Sequence, residues 1–215
     1  MSRKFSGLKE LSPQPPQGTW VYALKPGLWL VAGREARPPK PQEIYLRRGQ
    51  AFPVGHPTTR LCLELLHKVV LQRHPRTLLE VGCGSGVLCL AAAALGVPWI
   101  IGLDLAWPAV QETWENAQAN HLSAAVRLIQ GSTECLQGFF DLVIANLPRE
   151  VQMAKGREFL RLTAPGGTLI ISGFREPEEP DILALYPATQ WHRDQRRHHA
   201  FRHPELPPGY NFTWV

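Results

Sequence analysis

Short apolar runs alternate with longer mixed stretches through most of the chain, and the period of the pattern predicts the elements. Residues 57–74 (PTTRLCLELLHKVVLQRH) place Leu61, Leu65, Leu66, Val69 and Val70 on one helical face, with threonine near the start as a cap. There follow strand TLLEV, helix VLCLAAAAL, strand WIIGLD, helix PAVQETWENAQAN, strands AVRLIQ and FFDLVIAN, helix REVQMAKGREFLRLT and strand GTLIISG. The strands lack a polar face, as strands do when helices cover both sides of a parallel sheet. The expectation is α/β: a doubly wound, mostly parallel, seven-stranded Rossmann-like sheet. Its last antiparallel strand would be the terminal NFTWV, after a short helix in EPEEPDILALY.

Ahead of this core the character changes. Nine prolines fall within the first 57 residues, and the strand-like pieces there are WVYAL, LWLVAG and EIYLRR. Residues 1–50 therefore read as a Pro-rich leader or hairpin covering the core, and residues 51–215 as the main domain.

Composition narrows the class only a little. Hydrophobic residues at 44% and charged residues at 19% describe an ordinary globular chain. A net charge of +5 favours acidic partners without selecting nucleic acid. Cys62, Cys83, Cys89 and Cys135 form no CxxC pair, so no metal site is expected and the thiols read as reduced, in a cytoplasmic protein. The N-terminus has charge and proline where an export signal needs an apolar run. Residues 87–103 are apolar but are broken by Gly96 and Pro98; they read as a helix followed by a buried strand, with no membrane contact.

The chemistry concentrates in TLLEVGCGSG, residues 77–86, where Gly82, Gly84 and Gly86 follow a buried strand. In an open parallel sheet, ligands bind beyond the carboxyl ends of the strands, and glycines there permit a tight turn and close backbone approach. N–H groups opening the next helix favour an anion. The spacing is GxGxG, with Val87 where a dinucleotide fingerprint has its last glycine, which argues against NAD. Asp104 ends the next strand, where a carboxylate can accept from both ribose hydroxyls of a nucleoside. Glu80 before the loop and Asn146 after FFDLVIA favour S-adenosylmethionine, whose amino acid part and methyl group need polar neighbours there. Each feature alone also occurs as a plain turn; their combination carries the reading.

These residues resemble the class I S-adenosylmethionine-dependent methyltransferases and, within them, the ribosomal protein L11 methyltransferase family. The resemblance spans about residues 25–186 and rests on AFPVGHPTTRLCLELL, LLEVGCGSGVLCLAAAALG, GLDLAWPAVQETWENAQANH, and DLVIANLPRE with LIISGF. It implies that Thr59 contacts the cofactor, Gly82 lies under its amino acid part, Asp104 holds the ribose and Asn146 faces the methyl as the catalytic residue. Glu80, Cys83, Gly84, Gly86, Leu105 and Ser132 complete the cofactor set, with Ser132 a candidate for the adenine amino group.

The sequence departs from the family pattern at PVG, where the family has GTGT, and at NLP, where it has NIL. The family's substrate-recognition domain has no counterpart in the roughly 50 residues before AFPVGHPTT. The resemblance implies N-methylation of a protein amino group, the protein possibly ribosomal. Two alternatives stand beside it. A basic tail, opening with Trp191 and closing with His203, holds four arginines and four histidines and would serve an RNA methyltransferase, although a solvated edge hairpin is the preferred reading of it. The other alternative is a module that binds the cofactor without turnover. His56 reads as structural rather than as a base, and Cys83 as a packing thiol.

Overall fold

The computed structural model describes residues 20–47, 49, 54–189, 191–201 and 212–215. The first 19 residues of the expected leader, together with Arg202 and His203 of the basic tail, lie outside the described residues. Strands β1 (Trp20–Lys25), β2 (Leu28–Gly33) and β3 (Glu43–Arg47) come first, then helix α1 (Pro57–Arg73). The central region runs β4 (Thr77–Val81), α2 (Val87–Ala94), β5 (Trp99–Asp104), α3 (Trp107–Ala119), β6 (Val126–Gln130), β7 (Phe140–Asn146), α4 (Arg149–Leu162) and β8 (Thr163–Ser172). Helix α5 (Glu179–Leu183) and strands β9 (His199–Phe201) and β10 (Phe212–Trp214) follow.

The central sheet has the order β6-β5-β4-β7-β8, and all four pairings are parallel. Strand order reverses beside β4, so the carboxyl ends of β4, β5 and β7 meet at the switch point. The strands are apolar because both faces are covered: Leu78, Leu79, Ile100, Leu142, Val143 and Ile144 are fully buried. Helix α2 is equally apolar since it is enclosed, with Val87 through Ala92 all buried. That enclosure accounts for the run mistakable for a membrane span. Among the described residues no helix is long and apolar enough to cross a membrane.

The sheet differs from the seven strands expected. It has five among the described residues, and β9 and β10 pair antiparallel with each other as a separate ribbon. With three residues apiece they offer few ladder bonds. The chain around them is anchored elsewhere: Val215 donates its N–H to the Phe174 carbonyl at 3.0 Å and accepts from Ser172 Oγ at 2.7 Å, beyond the end of β8. A cleft of about 940 Å³ lies between β8, α1 and residues 191–197.

Strands β1 to β3 form a small sheet of their own, antiparallel between β1 and β2 and parallel between β2 and β3. Leu24, Leu30, Ala32, Ile44 and Leu46 join the same hydrophobic cluster as Leu63, Leu66, Leu88 and Leu90. One core thus extends from the N-terminal strands through α1 and α2 to the central sheet.

Candidate functional site

The glycine loop turns over the end of β5. Gly82 and Cys83 both donate their N–H groups to the Leu103 carbonyl, at 2.7 and 3.0 Å, and Gly86 donates to the Cys83 carbonyl at 2.8 Å. Gly86 has φ 81°, and a Cβ there would stand 2.6 Å from Thr113 Cγ2; the sequence needs glycine for both reasons. Gly84 donates its N–H to Asp104 Oδ2 at 3.0 Å, and Asp104 Oδ1 accepts from the Ala106 N–H at 2.9 Å. Asp104 therefore joins the loop to the start of α3 while its remaining lone pairs stay available. Several N–H groups expected to await an anion are thus already bonded within the protein, and the N-cap of α2 is Gly86, which has no side chain to cap it.

Glu80 is buried beneath the loop, where its Oε2 accepts from the Cys89 N–H at 2.8 Å and ties the first turn of α2 to β4. Burial pushes its carboxyl up to about 8, with hydrogen bonds from Cys89 opposing the shift and the charge of Asp104 adding to it. A carboxyl raised from an ordinary 4.5 contributes stability that is fully present below about pH 4.5 and is lost as pH rises towards 8. The Glu80→Gln variant is therefore expected to lose less stability than the parent between pH 5 and pH 8, by at most about 1.4 kcal/mol per pH unit. Urea unfolding at the two pH values measures it; equal losses in both proteins would show that Glu80 does not titrate in this range.

Asn146 ends β7, its Cα paired with Ser172, and the next register position along β4 from the Val81–Ala145 pair opens the glycine loop. Leu147 packs on that loop: a Cβ on Gly82 would meet Leu147 Cδ2 at 2.6 Å. Asn146 Oδ1 is buried with no hydrogen-bond partner. Buried polar atoms are as a rule hydrogen-bonded; Gln152 Oε1, on the helix that follows, is also without a partner. The Leu147 carbonyl is engaged by Gln152 Nε2 at 3.3 Å, which also donates to Ala145 and Ser172 carbonyls at 2.9 Å each.

The remaining predicted residues fall on the same rim or close to it. Leu105 is exposed beside Asp104. Ser132 follows β6, whose end is tied to β5 by the Gly131 N–H on the Asp104 carbonyl, 2.9 Å. Thr59 is buried one turn before Cys62 in α1. Cys83 turns its side chain inward against Gly102 and Thr113, and burial raises its thiol, so it is a packing residue whose backbone alone lines the loop. His56 caps α1 through Nδ1, which accepts from the Thr58 N–H at 3.3 Å, in agreement with a structural role.

The described ion pairs of the basic tail are made to α1, α5 and the turn before α5. Arg193 pairs with Glu179 at 3.0 Å, Arg196 pairs with Glu176 and Glu179 at 2.7 and 2.8 Å, and Arg73 faces Asp194 at 3.8 Å. Its described arginines thus include two already neutralised by α5 and the turn before it. No group of three or more histidine, cysteine or acidic residues is placed to hold a metal among the described residues.

Sequence reasoning missed Gln152, Thr113, Asn116 and Asn120, all buried. Thr113 donates to the Gly84 carbonyl at 2.9 Å and Asn116 to the Ser85 carbonyl at 3.0 Å, so α3 grips the loop from outside. A signal was available: Thr113, Asn116 and Asn120 share the helical face of buried Ala109 and Ala117, where polar residues need partners.

A glycine loop after β4, an acid ending β5 and an asparagine ending β7 define a doubly wound methyltransferase fold. The fold superposes on a precorrin 8W decarboxylase from Methanobacterium thermoautotrophicum with a TM-score of 0.54 at 18% identity, over 71% of this chain and 83% of that one. A ribosomal protein L11 methylase from Lactobacillus delbrueckii subsp. bulgaricus superposes with a TM-score of 0.70 at 25% identity, over 90% and 96%.

The chain belongs to the Ribosomal protein L11 methyltransferase (PrmA) family, whose profile matches residues 24–200. A ribosomal protein L11 methyltransferase of Herpetosiphon aurantiacus is 35% identical over 176 residues, covering 72% of this chain and 54% of that protein. That of Syntrophotalea carbinolica is 39% identical over 156 residues, covering 71% and 51%. The chain spans about half the length of the curated relatives it matches.

Proposed function

We propose that the chain binds S-adenosylmethionine at the rim formed by β4, β5 and β7 and methylates an amino group of a protein. The observation that carries this reading is the orphaned, buried Oδ1 of Asn146 beside the glycine loop. The residues fit the cofactor: Asp104 for the ribose hydroxyls, the backbone of residues 82–86 for the amino acid part, Leu105 for an apolar contact with the base, and Ser132 for its amino group. Bound there, S-adenosylmethionine supplies an electrophilic methyl group on a sulfonium.

The protein's task is then orientation. Asn146 Oδ1 would accept a hydrogen from a neutral amine and aim its nitrogen lone pair at the methyl group that the cofactor would supply, and the proton released from the amine would leave to water. Protein as the acceptor, with ribosomal protein the first candidate, rests on the family's relatives. The paired arginines of the tail weigh against an RNA acceptor, since an arginine neutralised within the protein adds little attraction for phosphate. A cytoplasmic location fits the four free thiols.

Calorimetry with S-adenosylhomocysteine and NAD, followed by transfer of labelled methyl to fractionated protein and RNA, tests the proposal. Binding of the former and label in protein is the expected result. Tight NAD binding without S-adenosylhomocysteine binding would overturn the cofactor, label confined to RNA would overturn the acceptor, and binding without any transfer would leave a non-catalytic module.

A further inference from the structure

Two side chains of α3 and that of its C-cap, Asn120, spaced four residues apart, meet three backbone positions of the chain through β3, spaced two apart. Asn120 Oδ1 accepts from the Tyr45 N–H at 2.8 Å and its Nδ2 donates to the Tyr45 carbonyl at 2.6 Å. Asn116 Oδ1 accepts from the Arg47 N–H at 2.9 Å and its Nδ2 donates to the Arg47 carbonyl at 3.2 Å. Glu112 Oε1 accepts from the Gly49 N–H at 3.0 Å. The match has a geometric cause: four residues of helix rise about 6 Å, and two residues of strand about 6.6 Å. Strand β3 is an edge of its sheet, and the asparagine amides complete its ladder as a neighbouring strand would.

Asn120 Nδ2 also donates to the Asn116 carbonyl at 2.7 Å, within the end of the helix, whereas Asn116 reaches the glycine loop. Its Nδ2 also donates to the Ser85 carbonyl at 3.0 Å, in the middle of the glycine loop, one residue after the Gly84 N–H that binds Asp104. One buried amide thus holds the edge of the N-terminal sheet and the backbone of the loop together.

We infer that Asn116 is a positioning residue that couples docking of β3 to the shape of the glycine loop, so that cofactor binding and attachment of the N-terminal sheet reinforce each other. The inference rests on the cofactor reading above for its binding half. Its physical content is linkage: if β3 holds the loop in the binding shape, the bound cofactor must hold β3 by the same factor.

Amide hydrogen exchange on the full chain, read by NMR with and without S-adenosylhomocysteine, tests it together with calorimetry. In the parent protein the ligand is expected to slow exchange at Arg47. In Asn116→Ala the Arg47 response disappears, Gly86 exchanges faster even without ligand, and the Kd rises about five- to tenfold, as for loss of one buried hydrogen bond. Asn120→Ala, which leaves the Ser85 bond intact, exchanges faster at Tyr45 and loses less affinity.

Asn116→Asp keeps an acceptor for Arg47 but cannot donate to Ser85, and carries the same test if the alanine form does not fold. An unchanged Kd in the Asn116 variant, or an equal loss in Asn120→Ala, would overturn the inference. A parent protein that binds no S-adenosylhomocysteine would sink the cofactor reading alone; unchanged ligand-free exchange at Gly86 in the Asn116 variant would then overturn the inference independently.

Discussion

Replacing Asp104 by alanine is expected to weaken binding of S-adenosylhomocysteine by about one to two orders of magnitude for each ribose hydrogen bond lost, since bonds to a charged group contribute roughly 1.5–3 kcal/mol each. The effect has two sources. The carboxylate would no longer accept from the ribose hydroxyls, and the Gly84 and Ala106 N–H groups would lose the acceptor that shapes the loop. Calorimetry measures the affinity, and thermal unfolding separates a local loss from a global one. Asp104→Asn divides the two contributions, because the amide keeps one acceptor and loses the charge. If the alanine variant is folded and binds with the parent's affinity, Asp104 does not hold the ribose.

Asn146→Ala should leave the cofactor's Kd close to that of the parent and lower the rate of methyl transfer by roughly one to two orders of magnitude. The asymmetry follows from when the bond matters. As the amine attacks, its nitrogen becomes positive and its hydrogens more acidic, so an acceptor contributes more in the transition state than in the bound complex. The folded state should not suffer, because Asn146 Oδ1 has no protein partner to lose. Gln152 would still gather the carbonyls of Ala145, Leu147 and Ser172. Single-turnover measurement with the protein fraction labelled by the parent reads the rate directly. An alanine variant as fast as the parent would remove Asn146 from catalysis, whereas a large loss of cofactor affinity would make it a binding residue instead.

The central alternation of strands and helices could be read from the chain by itself. Parallel strands covered on both faces must be apolar throughout, so TLLEV, WIIGLD and FFDLVIAN announce themselves. The glycine loop was legible for a similar reason: the positive φ at Gly82, Gly84 and Gly86 is a demand of local backbone sterics, and glycine meets it at low cost. The place of Asp104 follows from counting to the end of the next strand. Each of these signals is local, set by a residue and its immediate neighbours.

Tertiary structure decided the rest, where partners come together from distant parts of the chain. The expected seventh strand became half of a separate ribbon, because Val215 is held beyond β8 by Ser172 and Phe174. The tail, for which a surface for phosphate was only the alternative reading, has Arg193 and Arg196 against Glu176 and Glu179, and opposite charges apart in sequence reveal nothing of their pairing until the chain folds. Asn116 stands 69 residues from the backbone it supports in β3 and 31 from the loop carbonyl it holds. A buried amide in a helix announces a need for partners; only the packing of α3 against both β3 and the glycine loop supplies them, and with them the coupling between the N-terminal sheet and the site.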